Sequence, residues 1–163
     1  MDGILCVNKP QGFTSFDVVA KLRGMTKTRR IGHSGTLDPM ATGVLPVLIG
    51  TATKACDLMP DQDKKYRARL RLGVTTDTQD MTGNILTQRD ARPTRAEILQ
   101  AVEGFRGEGM QIPPMYSAIK IGGRKLCDLA REGITVERPP RPITVYDISV
   151  PSMEGDDVDF HVL

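Results

Sequence analysis

The chain has 163 residues, 39% of them hydrophobic and 26% charged, which is enough for one packed domain or two small ones and excludes a disordered protein. The formal net charge is only +2, but residues 1–71 hold 12 lysines and arginines against 6 acids. A basic N-terminal part suits a surface that binds polyanions, although the charge alone favours a solvated surface on which the charges are unevenly distributed.

The predicted elements of the first 60 residues alternate between short strands and helices. "GILCVN" predicts a buried strand that stops before Pro10, and Ser15 is the predicted N-cap of a helix to about Gly24. That helix would present one apolar face, made of Phe16, Val19 and Leu22. The following "KTRRIGHSGTLDPMATG" has no period and predicts a loop. "VLPVLIG" predicts a buried strand whose proline favours an edge or a bulge, and residues 51–59 predict a short helix.

The second part of the chain contains a strand with a basic face. "KKYRARLRLGV" alternates between apolar and basic residues, which predicts a half-buried strand. "TTDTQDMTGN" predicts a polar turn, and Thr94 with Glu97 predicts a capping box at the start of a helix. A Gly-Gly turn follows in "KIGGRKL", then a helix from Arg124 to about Glu132. "RPITVYDISV" and "DVDFHVL" predict two strands joined by an acidic turn.

This order of elements favours an α+β fold with a mixed, largely antiparallel sheet flanked by helices. The chain stops at Leu163, inside the last predicted strand. We therefore expect a fragment whose terminal strand, Val158 to Leu163, lacks its neighbours and leaves open backbone donors.

Asp38 stands out in the segment "RRIGHSGTLDPMATG". Pro39 restricts Asp38 to extended conformations, and Gly35 permits a close approach of the backbone to a ligand. A rigid, partly desolvated carboxylate near arginines can act as a nucleophile or general base. Asp before Pro is also common in simple turns, so the residues alone leave both interpretations open.

Other kinds of site find no support in the sequence. Three distant cysteines exclude a disulfide framework and a zinc motif, and they favour reduced thiols in the cytoplasm. His33 and His161 have no carboxylates at ligand spacing, and no Walker or dinucleotide fingerprint is present. No stretch is long enough to span a membrane, and the N-terminus is not a signal peptide. We therefore expect a cytoplasmic protein without metal, cofactor or membrane partner.

Four segments together resemble the TruB-type tRNA pseudouridine synthases, in the bacterial stand-alone form. In chain order they are "VNKPQGFTSFDVV", "RRIGHSGTLDPMATGVLPVLIGTATK", "DKKYRARLRLGVTTDTQDMTG" and "IPPMYSAIKIGGRKL". The resemblance implies a pseudouridine synthase fold and an isomerase that converts a uridine in the T loop of tRNA, without metal or cofactor. It implies that Asp38 is the essential aspartate; whether Asp38 attacks the sugar, attacks the uracil or removes a sugar proton stays open.

The resemblance also implies roles for other residues. His33 would pack on the RNA near the flipped nucleotide, and Tyr66 would contact the target uracil. Lys9 and Pro10 would brace the active-site loop, of which Gly35 and Pro39 are part. The residues expected to hold phosphates of the tRNA T arm are Arg29, Arg30 and Lys64, together with the basic strand face.

The chain departs from the family pattern in two places. Cys127 stands where the family usually has tyrosine, which suggests local repacking. Family members also continue with a Lys-Gly-Thr-Tyr-Ile-Arg-like segment, whose arginine pairs with the aspartate, and usually with an RNA-binding domain. Residues 1–163 would therefore be the N-terminal part of a catalytic domain, inactive alone. Two alternatives remain: an RNA-binding or RNA-folding module, and the catalytic subunit of a guide-RNA pseudouridylation particle.

Overall fold

Helices and short strands are mixed along the chain in a computed structural model that describes residues 1–59 and 63–163. The chain divides into two units, Met1–Gln62 and Asp63–Leu163. Every strand pairing in the described residues is antiparallel. The predicted α+β class is therefore confirmed, although the described strands form five small sheets instead of one mixed sheet.

The first unit is built around a three-stranded sheet. Its described elements are β1 (Gly3–Lys9), α1 (Ser15–Thr26), β2 (Ile31–His33), β3 (Gly43–Ile49) and a 3₁₀ helix (Gly50–Leu58). The strand β3 lies between β1 and β2. The segment predicted to be only a loop therefore contains β2, which is too short for an alternation of polar and apolar residues to reveal it.

Pro46 lies in the central strand of this sheet, so the predicted edge position is wrong. It faces Cys6 on β1, and its carbonyl oxygen accepts a hydrogen bond from the amide of Ser34 at 2.9 Å. The N–H and C=O of a strand residue point to the same side, so the N–H that proline lacks would face Ser34. The ladder with β2 accordingly ends at His33, where Pro46 has no further donor to offer.

The N-cap of α1 is Thr14, one residue earlier than predicted. The Thr14 hydroxyl accepts from the amide of Asp17, and the Asp17 carboxylate accepts from the amide of Thr14 at 2.8 Å. This is a complete capping box, so Ser15 is the first helical residue. The helix also runs past Gly24 and ends before Lys27, which adopts a left-handed conformation.

The core of the first unit lies between α1 and the sheet. Val18 and Val19 pack against a buried group from the strands, which comprises Ile31, Leu45, Val47 and Ile49. The predicted apolar face is partly wrong, because Phe16 is 59% exposed, whereas Val19 and Leu22 contact the core together with Val18. The predicted burial of β1 is also wrong, since most of its residues are exposed.

The second unit contains four small sheets and two helices among its described elements. The strands are β4 (Tyr66–Arg71), β5 (Val74–Thr76), β6 (Ile85–Gln88), β7 (Gly107–Gln111), β8 (Lys120–Ile121), β9 (Arg124–Lys125), β10 (Arg141–Val145), β11 (Ile148–Glu154) and β12 (Asp157–Val162). The helices are α2 (Arg95–Glu103) and α3 (Leu126–Arg131). The pairings are β11-β12-β4, β5-β6, β8-β9 and β10-β7.

The local predictions for this unit differ in outcome. Thr94 and Glu97 form the predicted capping box, and Gly122 with Gly123 forms the turn between β8 and β9. The segment predicted as one strand after Arg141 is instead two strands, β10 and β11, in different sheets. The strand β12 was expected to lie at an open edge, but it pairs with β4 on one side and β11 on the other.

No helix formed by residues 1–59 and 63–163 is long and apolar enough to cross a membrane.

Candidate active site

Asp38 lies in the loop that connects β2 to β3, and the residue before it is held by a buried hydroxyl. The amide of Leu37 donates to Ser15 Oγ at 3.0 Å, and Ser15 Oγ lies 3.3 Å from the carbonyl oxygen of Leu37. Ser15 is only 3% exposed, and the Leu37 side chain packs against the core of the unit. The chain is therefore fixed through both the backbone and the side chain immediately before Asp38.

The residue after Asp38 is held as well. The carbonyl oxygen of Pro39 accepts from the amide of Gly12 at 2.8 Å and from Lys9 Nζ at 3.4 Å. The carbonyl of Asp38 itself accepts from the amide of Ala41 at 3.0 Å, which closes a turn. Asp38 thus lies between two anchored neighbours in a loop that is supported by Lys9, Gly12 and Ser15.

Lys9 is fully buried at the end of β1. Its ammonium group donates to the carbonyl oxygens of Pro10, Phe13 and Pro39 at 3.0, 2.7 and 3.4 Å. A buried ammonium needs acceptors for its three protons, and these three carbonyls provide them. Lys9 therefore joins the loop that precedes α1 to the loop that carries Asp38.

The Asp38 side chain is exposed, so the partial desolvation expected from the sequence is not found. None of the ion pairs formed within the described parts of the chain includes Asp38. The backbone of Asp38 is therefore fixed through its two neighbours, while its carboxylate is accessible to a ligand.

His33 ends β2 and turns its ring back on the same loop. Its Nδ1 lies 2.6 Å from the carbonyl oxygen of Gly35, and a carbonyl can only accept, so Nδ1 carries a proton. In the neutral ring Nε2 is then the acceptor. Gly35 has a φ of +76°, a conformation that glycine adopts without strain. The half-buried imidazole is thereby held in one orientation next to the loop.

Arg29 and Arg30 precede β2 and are exposed. The Nε of Arg30 donates to the hydroxyl of Thr53 at 2.7 Å, and the Arg30 carbonyl accepts from the amide of Gly50 at 2.7 Å. No hydrogen bond or ion pair of the Arg29 guanidinium occurs among residues 1–59 and 63–163. One of the two arginines is therefore tied to the 3₁₀ helix, and the other remains available to an anion.

The first unit holds most of the predicted site residues: Lys9, Pro10, Arg29, Arg30, His33, Gly35, Asp38 and Pro39. Tyr66 and Lys64 belong to the second unit. Tyr66 opens β4 opposite Val162 and is 45% exposed, which leaves its ring accessible.

Two of the three arginines on the basic face of β4 are ion-paired, which reduces the net positive charge of this face, and its binding of phosphates stays a prediction. Arg69 and Arg71 form ion pairs with Asp159 and Asp157 on the neighbouring strand β12. These hydrogen bonds and charges raise the pKa of both arginines and lower the pKa of both aspartates.

Sequence reasoning missed Ser15 and Gly12 as supports of the loop. Both contacts connect residues far apart in the sequence, Ser15 to Leu37 across 22 positions, so no local pattern signals them. No group of three histidine, cysteine or acidic side chains that could hold a metal ion occurs among the described residues.

Residues 23–163 match the sequence model of the TruB family pseudouridylate synthase N-terminal domain. The chain belongs to this family. The TruB match begins inside α1, extends through the second unit and includes the whole Asp38 loop.

Similar proteins agree with this assignment. A tRNA pseudouridine synthase B of Clostridium kluyveri is 51% identical over 162 residues, which are 99% of this chain and 56% of that protein. The tRNA pseudouridine synthase B of Alkaliphilus oremlandii is 50% identical over the full chain, which is 54% of that protein. The chain therefore spans about half the length of the curated TruB relatives it matches.

Solved structures share the fold. A chain in the crystal structure of a Cbf5-Nop10-Gar1 complex superposes with a TM-score of 0.70 at 31% identity, over 98% of this chain and 38% of that one. A chain in an H/ACA RNP bound to a substrate RNA containing 2'-deoxyuridine gives a TM-score of 0.67 at 28% identity, over 98% and 37% of the two chains. The pseudouridine synthase fold predicted from the sequence is thus confirmed.

Proposed function

We propose that the gene product containing this chain is a tRNA pseudouridine synthase that isomerises a uridine in the T loop, with Asp38 as the essential residue. The chain would be the N-terminal part of its catalytic domain. The observation that carries the proposal is an exposed carboxylate, anchored on both sides by buried groups, in the loop that matches the TruB family. The two curated relatives that are 51% and 50% identical to this chain are named tRNA pseudouridine synthase B.

The arrangement around Asp38 suits chemistry on a base that has left its stack. A uridine in an RNA loop reaches an enzyme only after it is flipped out, and the receiving group must already be in place. The contacts of Ser15 and Lys9 provide this by fixing Leu37 and Pro39. We assign the attack or proton removal to Asp38.

Other residues would bind the RNA. His33, with its ring held by Gly35, would pack beside the flipped nucleotide, and Tyr66 would contact the uracil. Phosphates of the T arm would be bound by Arg29, Arg30 and Lys64. Because Arg69 and Arg71 are already ion-paired with aspartates, we expect the β4 face to contribute little to this binding.

A second candidate is the catalytic subunit of a guide-RNA particle, because the solved neighbours include a Cbf5 complex and an H/ACA RNP. The identity to those chains is 31% and 28%, against 51% and 50% for two relatives named tRNA pseudouridine synthase B. We therefore favour the stand-alone enzyme. Conversion of unmodified tRNA by the purified gene product alone would support it, and a strict need for a guide RNA and added proteins would favour the second candidate.

The decisive experiment compares Asp38→Asn with Asp57→Asn in the complete gene product. Asp57 is an exposed acid of the same unit, so its variant removes the same charge from the 3₁₀ helix instead of the loop. We expect Asp38→Asn to abolish conversion while tRNA affinity stays within a few-fold, because phosphate contacts supply the affinity. Asp57→Asn should convert at the wild-type rate, and chelators should leave conversion by the wild type and by Asp57→Asn unchanged.

Near-normal turnover by Asp38→Asn would refute the role of Asp38. The 163-residue chain alone should bind tRNA weakly without converting it; full turnover by that chain would show that no residue outside it is needed.

A further inference from the structure

We infer that Ser15 is a positioning residue for Asp38, an inference that rests on the proposed function. Its hydroxyl contacts both the amide and the carbonyl of Leu37, the residue directly before Asp38. One side chain therefore fixes both peptide groups of Leu37 from a position 22 residues earlier in the chain.

The hydroxyl of Ser15 is free for this task because another residue caps the helix. Thr14 and Asp17 form the capping box of α1, so the start of the helix does not use Ser15 Oγ. The hydroxyl is one donor and two acceptor sites, and Leu37 provides one acceptor and one donor. With Ser15 only 3% exposed, water has little access to replace these bonds.

The direction of the Asp38 carboxylate depends on the peptide that precedes it. The Leu37 side chain is packed on the core, and Pro39 is tied to Gly12 and Lys9. The orientation of the peptide group between these anchors is set by Ser15. Loss of the hydroxyl would let that peptide rotate and move the carboxylate, which reduces the rate of the chemical step more than the affinity for RNA.

Hydrogen exchange of the Leu37 amide tests the contact without any enzymatic assay. In the wild type this amide is bonded to a buried oxygen, so it should exchange slowly. In Ser15→Ala it should exchange at least about tenfold faster, while the amides of β3 keep their rates. An unchanged Leu37 rate in a folded Ser15→Ala protein would overturn the inference, whatever the enzyme does.

Kinetics in the complete gene product test the consequence. We expect Ser15→Ala to lower kcat by about 10- to 100-fold and to leave KM within about threefold. The matched control is Thr14→Ala, which removes the neighbouring hydroxyl and weakens the same helix, because the Thr14 hydroxyl bonds to Asp17 and has no hydrogen bond to Leu37 among the described residues. Its kcat should stay within about twofold of the wild type, although its Tm should fall.

The exchange and kinetic results together distinguish a failure of the inference from a failure of the proposed function. Equal losses of kcat in Ser15→Ala and Thr14→Ala would reduce Ser15 to a structural residue and overturn the inference. Faster Leu37 exchange with unchanged kcat would overturn it too, because Asp38 would not need the support. An inactive wild type with fast Leu37 exchange in Ser15→Ala would refute the proposed function and leave the loop contact confirmed.

Discussion

Asp159 lies directly opposite Arg69 on neighbouring strands, and its two carboxylate oxygens accept from Nε and Nη2 of that arginine at 2.7 and 3.0 Å. Ser152, on the strand at the other side, donates its hydroxyl to the same carboxylate at 2.7 Å. Asp159 therefore joins all three strands of the sheet β11-β12-β4 through its side chain. These donors hold the pKa of Asp159 well below its usual range.

We expect Asp159→Asn to lower the stability of the chain at pH 7, with a dependence on pH. A carboxyl whose pKa is depressed in the folded state stabilises the protein above its unfolded-state pKa of about 4, and this contribution is lost as the pH falls through the folded-state value. The difference in unfolding midpoint between wild type and variant should therefore narrow below about pH 4. Urea unfolding between pH 7 and pH 2 measures it.

The matched control is Asp157→Asn, on the same strand and the same face. Asp157 pairs with Arg71 and is more exposed than Asp159, so its variant should lose less stability. A constant difference between wild type and Asp159→Asn over the whole pH range would contradict the pKa argument.

We expect Arg29→Gln to weaken binding of tRNA by the complete gene product by several-fold. One lost phosphate contact should also reduce the slope of log affinity against log salt concentration by about one. Arg92→Gln is the control, because Arg92 is an exposed arginine of the second unit that pairs with Asp90. Equal effects of both variants would mean that only the overall charge matters.

We expect Lys9→Met to destabilise the chain by about 3 kcal/mol, because the carbonyls of Pro10, Phe13 and Pro39 would lose a charged donor in a buried site. Lys21→Met removes the same charge from an exposed position of α1 and should change the unfolding free energy little. Denaturant titration of both variants tests this, and a Lys9→Met protein as stable as Lys21→Met would show that the three carbonyls do not need the lysine as a donor.

Two glycines of the first unit should respond to alanine with opposite signs. Gly24 lies inside α1 with open space around its missing side chain, so Gly24→Ala should raise stability by about 0.5–1 kcal/mol. Gly50 has a φ of +63°, and a methyl group there would overlap the Asp2 carboxylate and the Met1 carbonyl. Gly50→Ala should therefore lower Tm. Thermal unfolding of both variants tests this, and a lower Tm for Gly24→Ala or a higher Tm for Gly50→Ala would contradict the prediction.

Signals that lie within a few residues predicted the structure well. The Thr94–Glu97 box and the Gly122–Gly123 turn were readable because each feature is complete within a short stretch. The alternation around Arg69 likewise predicted the strand β4. It carried no information about Asp159, which lies 90 residues away and neutralises that arginine.

The start of α1 shows how neighbouring residues compete for one role. Thr14 and Ser15 can both cap a helix, and the acidic residue three positions after Thr14 decides in favour of Thr14. Periodicity also failed for β2, since three residues show no repeat. At the candidate site, the resemblance predicted Asp38 and the supporting Lys9, but the contacts of Ser15 and Gly12 with the loop appeared only in the folded chain.

The complete burial of the Lys9 amine makes this residue a built-in reporter for chemical footprinting. An acylating reagent should modify exposed lysines such as Lys21 and Lys27 quickly and should reach Lys9 only when the end of β1 separates from the loop of Asp38. The labelling rate at Lys9, read by mass spectrometry of the digested protein, would thus report how often the support of that loop opens in solution.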